Sequence, residues 1–226
     1  MDGNRNYQKM KRIYSALISL PLLTFLLISC SENQPTIERN SVHDAIQTPD
    51  PQLPKESVKT DTTILMVSKQ VLASLQKKDY KSFANCIHPT LGVRFSPYAY
   101  IDTVNDITFD SDQFLREIKA QNKLNWGSYD GSGSTILLTT KDYFSTFVYN
   151  ADFLHAEKNS LNKMIGFGNS LNNLESVYVG CDFTESYFSG FDKKYEGMDW
   201  CCLRLVFKKY LDRYYLVGVV HDQWTI

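Results

Sequence analysis

The run Asp199-Trp200-Cys201-Cys202-Leu203-Arg204-Leu205-Val206-Phe207-Lys208, with Tyr214-Tyr215-Leu216-Val217-Gly218-Val219-Val220-His221-Asp222-Gln223-Trp224 after a short polar break, decides the fold. Leu203, Leu205 and Phe207 recur at the two-residue period of a strand, and Arg204 and Lys208 take the opposite face. Lys209 to Arg213 interrupts the pattern. The second run is almost wholly β-branched, aromatic or small, which suits a pleated, buried strand. Residues 199–226 therefore read as two long strands joined by a turn.

Upstream of this pair, Val177, Val179, Cys181 and Phe183 alternate with Tyr178, Asp182 and Thr184, so Leu174 to Tyr187 is expected to be another strand. Leu161 to Asn173 is rich in Asn and Gly and predicts irregular backbone. Thr139 or Thr140 can cap a helix through Tyr143, Phe144, Phe147 and Val148. Trp126 to Gly133 reads as the main loop. Ser111 is an N-cap candidate for a helix to Asn122 with Phe114, Leu115 and Ile118 on its apolar side. Val93 and Phe95 mark a short extended piece. Ile64, Leu65, Val67, Val71, Leu72 and Leu75 fall near helical spacing, so a helix is expected from Thr62 to Lys77-Lys78-Asp79. A second, Tyr80 to Ile87, ends at His88-Pro89, because the residue before proline is driven from the α region.

The front of the chain has another character. Lys9, Lys11 and Arg12 precede an apolar run, Ile13 to Ile28, and then Leu27-Ile28-Ser29-Cys30. This is the layout of an export signal, shorter than the roughly 20 apolar residues a spanning helix needs. Leu-Ile-Ser-Cys resembles the lipobox of bacterial lipoprotein signal peptides. That resemblance implies a signal peptide over 1–29, a Cys30 carrying acyl chains such as palmitate, and a protein held on the non-cytoplasmic side of a cell-envelope membrane. Each buried CH₂ would contribute about 0.8 kcal/mol of attachment. Residues 30–61 are polar and proline-bearing and read as a flexible tether, leaving 62–226 as one α+β domain.

Of the 226 residues 43% are hydrophobic and 22% charged, enough for one core. The net charge is −1, and residues 1–29 carry +3 of it, so a chain cleaved before Cys30 holds −4. An acidic domain excludes nucleic acid as the expected partner.

Helices first, then long strands closing on a hairpin, indicate helices packed on a curved antiparallel sheet. Lys78-Asp79-Tyr80-Lys81-Ser82-Phe83 and the two closing strands resemble the nuclear transport factor 2-like, or SnoaL-like, cone. Three further stretches are similar to a group of uncharacterised bacterial lipoproteins: His88-Pro89 with Gly92 to Tyr98, Trp126-Gly127 with Asp130 to Gly133, and Asp199-Trp200 through His221-Asp222-Gln223-Trp224-Thr225. The resemblance implies the cone fold and no particular chemistry, since such folds host enzymes and binding modules alike.

Two classes of site follow. A cone of this type could bring His88 and His221 to one cavity with Asp222 and Asp199, where imidazole and carboxylate act as acid and base in an isomerase, dehydratase or hydrolase. The alternative is structural: Asp222 satisfies the His221 ring, and His88 caps the helix before Pro89. No Gly-x-Ser-x-Gly nucleophile motif is present. The second class is a binding pocket lined by Trp126, Tyr129, Tyr178, Trp200, Tyr215 and Trp224, suited to a small molecule, a glycan or a protein segment. Those rings could equally fill the concave side of the sheet.

No metal is expected, because His43, His88, His155 and His221 are scattered and Asp130 to Gly133 reads as a turn. No cofactor is expected either. Cys181 could meet Cys201 or Cys202, which face opposite ways, or all could be buried thiols. The leading expectation is a membrane-anchored, non-enzymatic binding or interaction module; the other is the acid–base enzyme.

Overall fold

The structure is a computed structural model and describes residues 55–225. The expected signal peptide, Cys30, His43 and most of the tether lie outside the described residues. Helices come first, as α1 (Lys55–Gln76) and α2 (Tyr80–Ala84), followed by β1 (Val93–Ser96), β2 (Thr108–Phe109) and α3 (Ser111–Ala120). Next are β3 (Lys123–Ser128), β4 (Thr135–Thr139) and α4 (Thr140–Tyr143), which widens into a π-helical turn over Phe144–Val148. The chain finishes with β5 (Lys158–Leu161), α5 (Leu174–Val177), β6 (Asp182–Phe188), β7 (Cys201–Tyr210) and β8 (Arg213–Gln223).

The sheet has six strands in the order β2-β1-β8-β7-β6-β5. Its neighbours are antiparallel except β1 and β8, which run parallel with Phe95 opposite Val219. The expected purely antiparallel sheet is thus corrected at one pair. β1 comes far earlier in the chain, and the intervening elements allow the long crossover that a parallel pair requires. Between Val206 and Phe207 the β7–β8 register shifts. The extra residue on β8 turns Val217 and Gly218 both outward and bends the sheet.

α1 begins at Lys55, seven residues before the expected start, inside the segment read as tether. Its buried line is Ile64, Ser68, Val71, Leu72 and Leu75, at helical spacing, while Leu65 is exposed. Ser68 and Thr184 share a hydroxyl hydrogen bond of 2.8 Å, tying α1 to β6. Lys78 adopts a left-handed conformation, and Asp79 N–H reaches back to the Ser74 carbonyl at 2.8 Å, ending the helix. α3 is capped by Asp110 rather than Ser111. Asp110 and Gln113 form a reciprocal capping box, and Ser111 donates to the Ala84 carbonyl.

Two expectations fail for local reasons. Trp126, Gly127 and Ser128 belong to β3, and only the tight turn from Tyr129 to Ser134 separates it from β4, closed by Tyr129 N–H to Ser134 O at 2.8 Å. The glycines there serve a bulge and a turn, not a long loop. Leu174 to Cys181 is not strand. The Asn173 side chain bonds both the N–H and the carbonyl of Ile101, at 2.8 and 3.0 Å, and the segment turns through α5. Val179, which the alternation placed on an apolar face, is 77% exposed.

Helices α1 to α4 cover one sheet face with an aromatic core. Phe83, Phe95, Phe114 and Phe144 pack with ring centroids 5.0–6.4 Å apart, and Trp126 stacks on Tyr143 at 3.8 Å. Each such pair contributes about 0.5–1.5 kcal/mol beyond its area. The concave face is therefore filled.

The outer face is buried as well. Ile101, Leu174, Phe183, Val206, Val217 and Val220 form a second cluster there. Beside it, Arg204 is wholly buried. Its Nε donates to Glu185 at 2.7 Å, Nη1 to Asp222 at 3.0 Å and Nη2 to the Gly166 carbonyl at 2.7 Å. Burial opposes its charge, but Cys202, Glu185 and Asp222 hold its pKa above the ordinary value. Gly166 fits only as glycine, since a Cβ would lie 2.8 Å from Trp200.

The four described cysteines Cys86, Cys181, Cys201 and Cys202 are free. Cys201 and Cys202 pair with Phe188 and Tyr187 at one end of the β6–β7 ladder, whereas Cys181 lies just beyond Asp182 at the other. Six or so residues of strand separate them, roughly 20 Å. A disulfide needs Cα atoms within about 7 Å. No such bridge joins Cys181 to either.

Replacing Arg204 by Met leaves two buried carboxylates uncompensated. Stability is expected to fall by about 3–5 kcal/mol, read as a lower urea midpoint, and an unchanged midpoint would show that the network adds nothing net.

Candidate functional site

β8 pulls the histidine and carboxylate candidates apart. Adjacent strand residues face opposite ways. His221 points to the helix side, 5.9 Å from the Phe147 ring, and its Nδ1 donates to the Pro97 carbonyl at 3.3 Å. Its Nε2 is buried without a hydrogen-bond partner. Asp222 points the other way to Arg204, so it neither orients the His221 ring nor shares a cavity with it.

His88 sits at the far end of β8, where its N–H donates to the Leu216 carbonyl at 3.0 Å. Five residues of strand separate Leu216 from His221, about 16 Å. His88 Nδ1 accepts the N–H groups of Thr90 and Leu91, at 3.2 and 3.1 Å, so the ring holds its own turn together. The Asp199 carboxylate accepts from the N–H groups of Phe191 and Asp192 at 2.9 and 2.8 Å and pins the loop before β7. The structure brings none of these four into a common site.

The aromatic candidates also disperse. Trp126 is core, with its indole N–H donating to the Leu138 carbonyl at 3.0 Å. Trp200 is buried against Gly166 and Gly168. Tyr215 packs on His88 and Tyr210 at the hairpin turn. Trp224 is partly exposed beyond β8. Tyr178 lines a small cavity on the outer face, and Tyr129 lines a larger cleft.

That cleft, about 850 Å³, opens between the β1–β2 connection and the β3–β4 hairpin, with Ser170 and Leu171 as a third wall. Its apolar part is Tyr98, Tyr100 and Tyr129 with Pro97 and Leu171. Phe147 lies beneath, 5.7 Å from Tyr98 and 6.1 Å from Tyr129, and His221 lies beneath Phe147. The charged groups lining it are Asp102, Asp106 and Asp130, with no Lys, Arg or His among them. Asparagines Asn105 and Asn125 and the Ser128 hydroxyl add neutral polar groups.

The three carboxylates are not equivalent. Burial raises Asp106 to about 6, against the Ser96 hydroxyl and the Asp102 N–H, which both donate to it. Asp102 is held low by the Asn105 amide and by the N–H groups of Val104 and Asn105. Asp130 is held low by the Thr225 and Ser170 hydroxyls. One of the three carboxylates thus titrates near 6 while the other two are held low. Such a site can bind a cation against aromatic faces. Sequence reasoning missed Tyr98, Tyr100, Asp102 and Asp106 as site residues, since Tyr98 stood only as part of a family-like stretch and Ala99 to Asp106 shows no period and no motif. The one signal was a cluster of turn-forming Pro, Asp and Asn between two short strands. Among the described residues no cluster of His, Cys, Asp and Glu could hold a metal.

His221 and Asp106 give opposed pH responses. Burial lowers His221 to about 4 from 6.5, so the unfolded chain takes up its proton first; this stability is complete above 6.5 and lost as pH falls towards 4. The full window corresponds to about 3 kcal/mol. Asp106, raised to about 6, favours the folded state at low pH and loses that stability as pH rises from 3.8 to 6. His221→Gln should flatten the loss of stability between pH 6.5 and 4, and Asp106→Asn should steepen it, both read from urea midpoints across pH. Equal slopes in parent and His221→Gln would exclude the histidine as the titrating group.

No family model matches the chain, and no curated protein does. Among solved structures, Aln2 from a Streptomyces species, known at 1.8 Å, is similar with a TM-score of 0.34 and 9% identity. The match covers 76% of this chain and 94% of that one, and a likeness so slight carries no conclusion about what the protein does.

Proposed function

We propose that the chain is a ligand-binding module, lipid-anchored through Cys30 in the bacterial cell envelope, whose cleft takes a small amphipathic cation. The cleft composition carries this reading: three tyrosines beside three carboxylates, with no cation among the lining residues. Its volume lies in the range of small-molecule sites, about 300–1,000 Å³. Binding is favoured over the acid–base enzyme because His88, His221 and Asp222 are buried in three separate environments. Helices ahead of a curved sheet that ends in a long hairpin support the nuclear transport factor 2-like reading of the fold. The basic n-region, apolar run and Leu27-Ile28-Ser29-Cys30 support export and lipidation.

Benzyltrimethylammonium is a suitable probe, with benzoate as its anionic counterpart. Calorimetry on the full chain should show saturable binding of the cation only, weakened about fivefold by Asp106→Asn or Tyr129→Ala. Affinity should fall as pH drops through about 6, where Asp106 gains a proton and its charge is lost. Benzoate binding as well as the cation, or neither binding, would defeat the proposal.

Lipidation has its own readout. Cys30→Ala should move the protein from the membrane fraction to the soluble one. Retention in the membrane fraction would sink the anchor.

A further inference from the structure

The outer face of the sheet carries a second and smaller cavity, about 260 Å³, walled by Arg94, Thr108, Tyr178, Cys181, Lys208 and Val217. Its charge is the reverse of the large cleft's, with two cations and no carboxylate among the lining residues. Arg94 stands on β1 and Lys208 on β7, with β8 between them. Two strand spacings put their backbones about 10 Å apart. Both side chains leave the same face and can converge on one group from opposite sides.

Neither cation is neutralised by contact. Among the described residues, no carboxylate forms an ion pair with Arg94 or Lys208. The Arg94 guanidinium has five donors. Nη2 reaches the Thr103 carbonyl at a long 3.3 Å, Nε is buried with no partner, and the Tyr178 hydroxyl is its other polar neighbour. Asp102 and Asp106 act on it only through space.

A half-buried guanidinium so under-satisfied is costly unless an anion meets it. The contrast with Arg204 is direct, since there every face of the fork is engaged. The remaining polar wall consists of hydroxyls: Thr108, which can donate to an oxyanion, and Tyr178, whose O–H donates to the Val217 carbonyl at a long 3.4 Å and would turn from it to meet the anion. Tyr178 can stand there only because residue 218 is glycine: a Cβ would lie 2.5 Å from its hydroxyl oxygen.

We propose that this cavity binds a phosphate group, free or as the end of a larger molecule, with Arg94 and Lys208 supplying charge and Thr108 and Tyr178 supplying hydroxyl donors. The size admits one tetrahedral oxyanion and is too small for a nucleotide. The cavity is separate from the large cleft, and the proposal does not rest on a cationic ligand there.

The test uses the full chain and inorganic phosphate, with acetate as the weaker-charged control and vesicles containing phosphatidic acid as the lipid source. Calorimetry should give saturable phosphate binding at low salt, stronger than acetate. Arg94→Gln should weaken it tenfold or more, and Lys208→Gln several-fold. Lys209→Gln, one residue on and facing the other way, should leave it unchanged. Because Lys208 is exposed, its variant is expected to fold even if the arginine variant does not, and urea midpoints verify both. Binding of inorganic phosphate with no added vesicle affinity would place the source in solution, and preferential vesicle binding lost in Lys208→Gln would place it in a lipid headgroup. Absence of both, or equal weakening by Lys209→Gln, overturns the site.

Discussion

At the centre of the sheet Arg204 joins β6 through Glu185, β8 through Asp222 and the Gly166 loop through a carbonyl, with no access to water. A guanidinium cannot be left there alone, so these partners must assemble together or not at all. Glu185 also accepts the N–H groups of Ile165 and Gly166, at 3.0 and 2.6 Å, while Arg204 donates to the Gly166 carbonyl, so the pair fixes the loop through both its donors and its acceptor. The network holds one cation against two carboxylates. Burial accordingly raises the Asp222 pKa despite Arg204, and Asp222 Oδ1 has no partner. The same loop continues to Ser170 and Leu171, which wall the large cleft. A buried electrostatic constraint on one face thus helps to position a wall of the cleft some residues away.

The concave face has a different consequence. Its aromatic rings close the space between helices and sheet, leaving no room there for a ligand. The larger cleft lies instead at the edge of the sheet, where connections supply most of its groups, while the smaller cavity takes Arg94, Thr108 and Lys208 from strands. Asp106 illustrates the result: a loop carboxylate, half-covered by its own turn, titrates near neutrality. Asp102, four residues earlier, is satisfied by backbone N–H groups and stays anionic. Opposite charge on the two cavities follows from the same geometry, because each side of β1 faces a different connection.

The hairpin, the helical spacing of α1 and the irregular 162–173 segment were legible because each is a local pattern with a period or a punctuating residue, whereas the second helix, expected to run to Ile87 and stop at His88-Pro89, ends at Ala84 because Ile87 and His88 are drawn into bridges with Leu216 and Gly92. The apparent strand from Leu174 to Cys181 misled for a physical reason. Alternation records which residues could share a face, while the Asn173 side chain, bonded to Ile101 far along the chain, decides that the backbone turns. His221 and Asp222 misled differently, since their adjacency suggests a pair and a strand separates neighbours by construction. Nothing local marked Asp106 or Arg94 as unusual. Their environments are assembled from segments distant in sequence.

By itself the sequence determined the class of fold, the long closing strands, the acidic balance of the domain and the lipobox-like front end, because composition and short periods suffice for these. Tertiary structure decided which residues face which cavity, that the concave side is full, that Cys181 is out of reach of Cys201 and Cys202, and that Arg204 is buried among acids. Those outcomes depend on register and on contacts between remote segments, and a one-residue shift of either would exchange the two faces of the sheet.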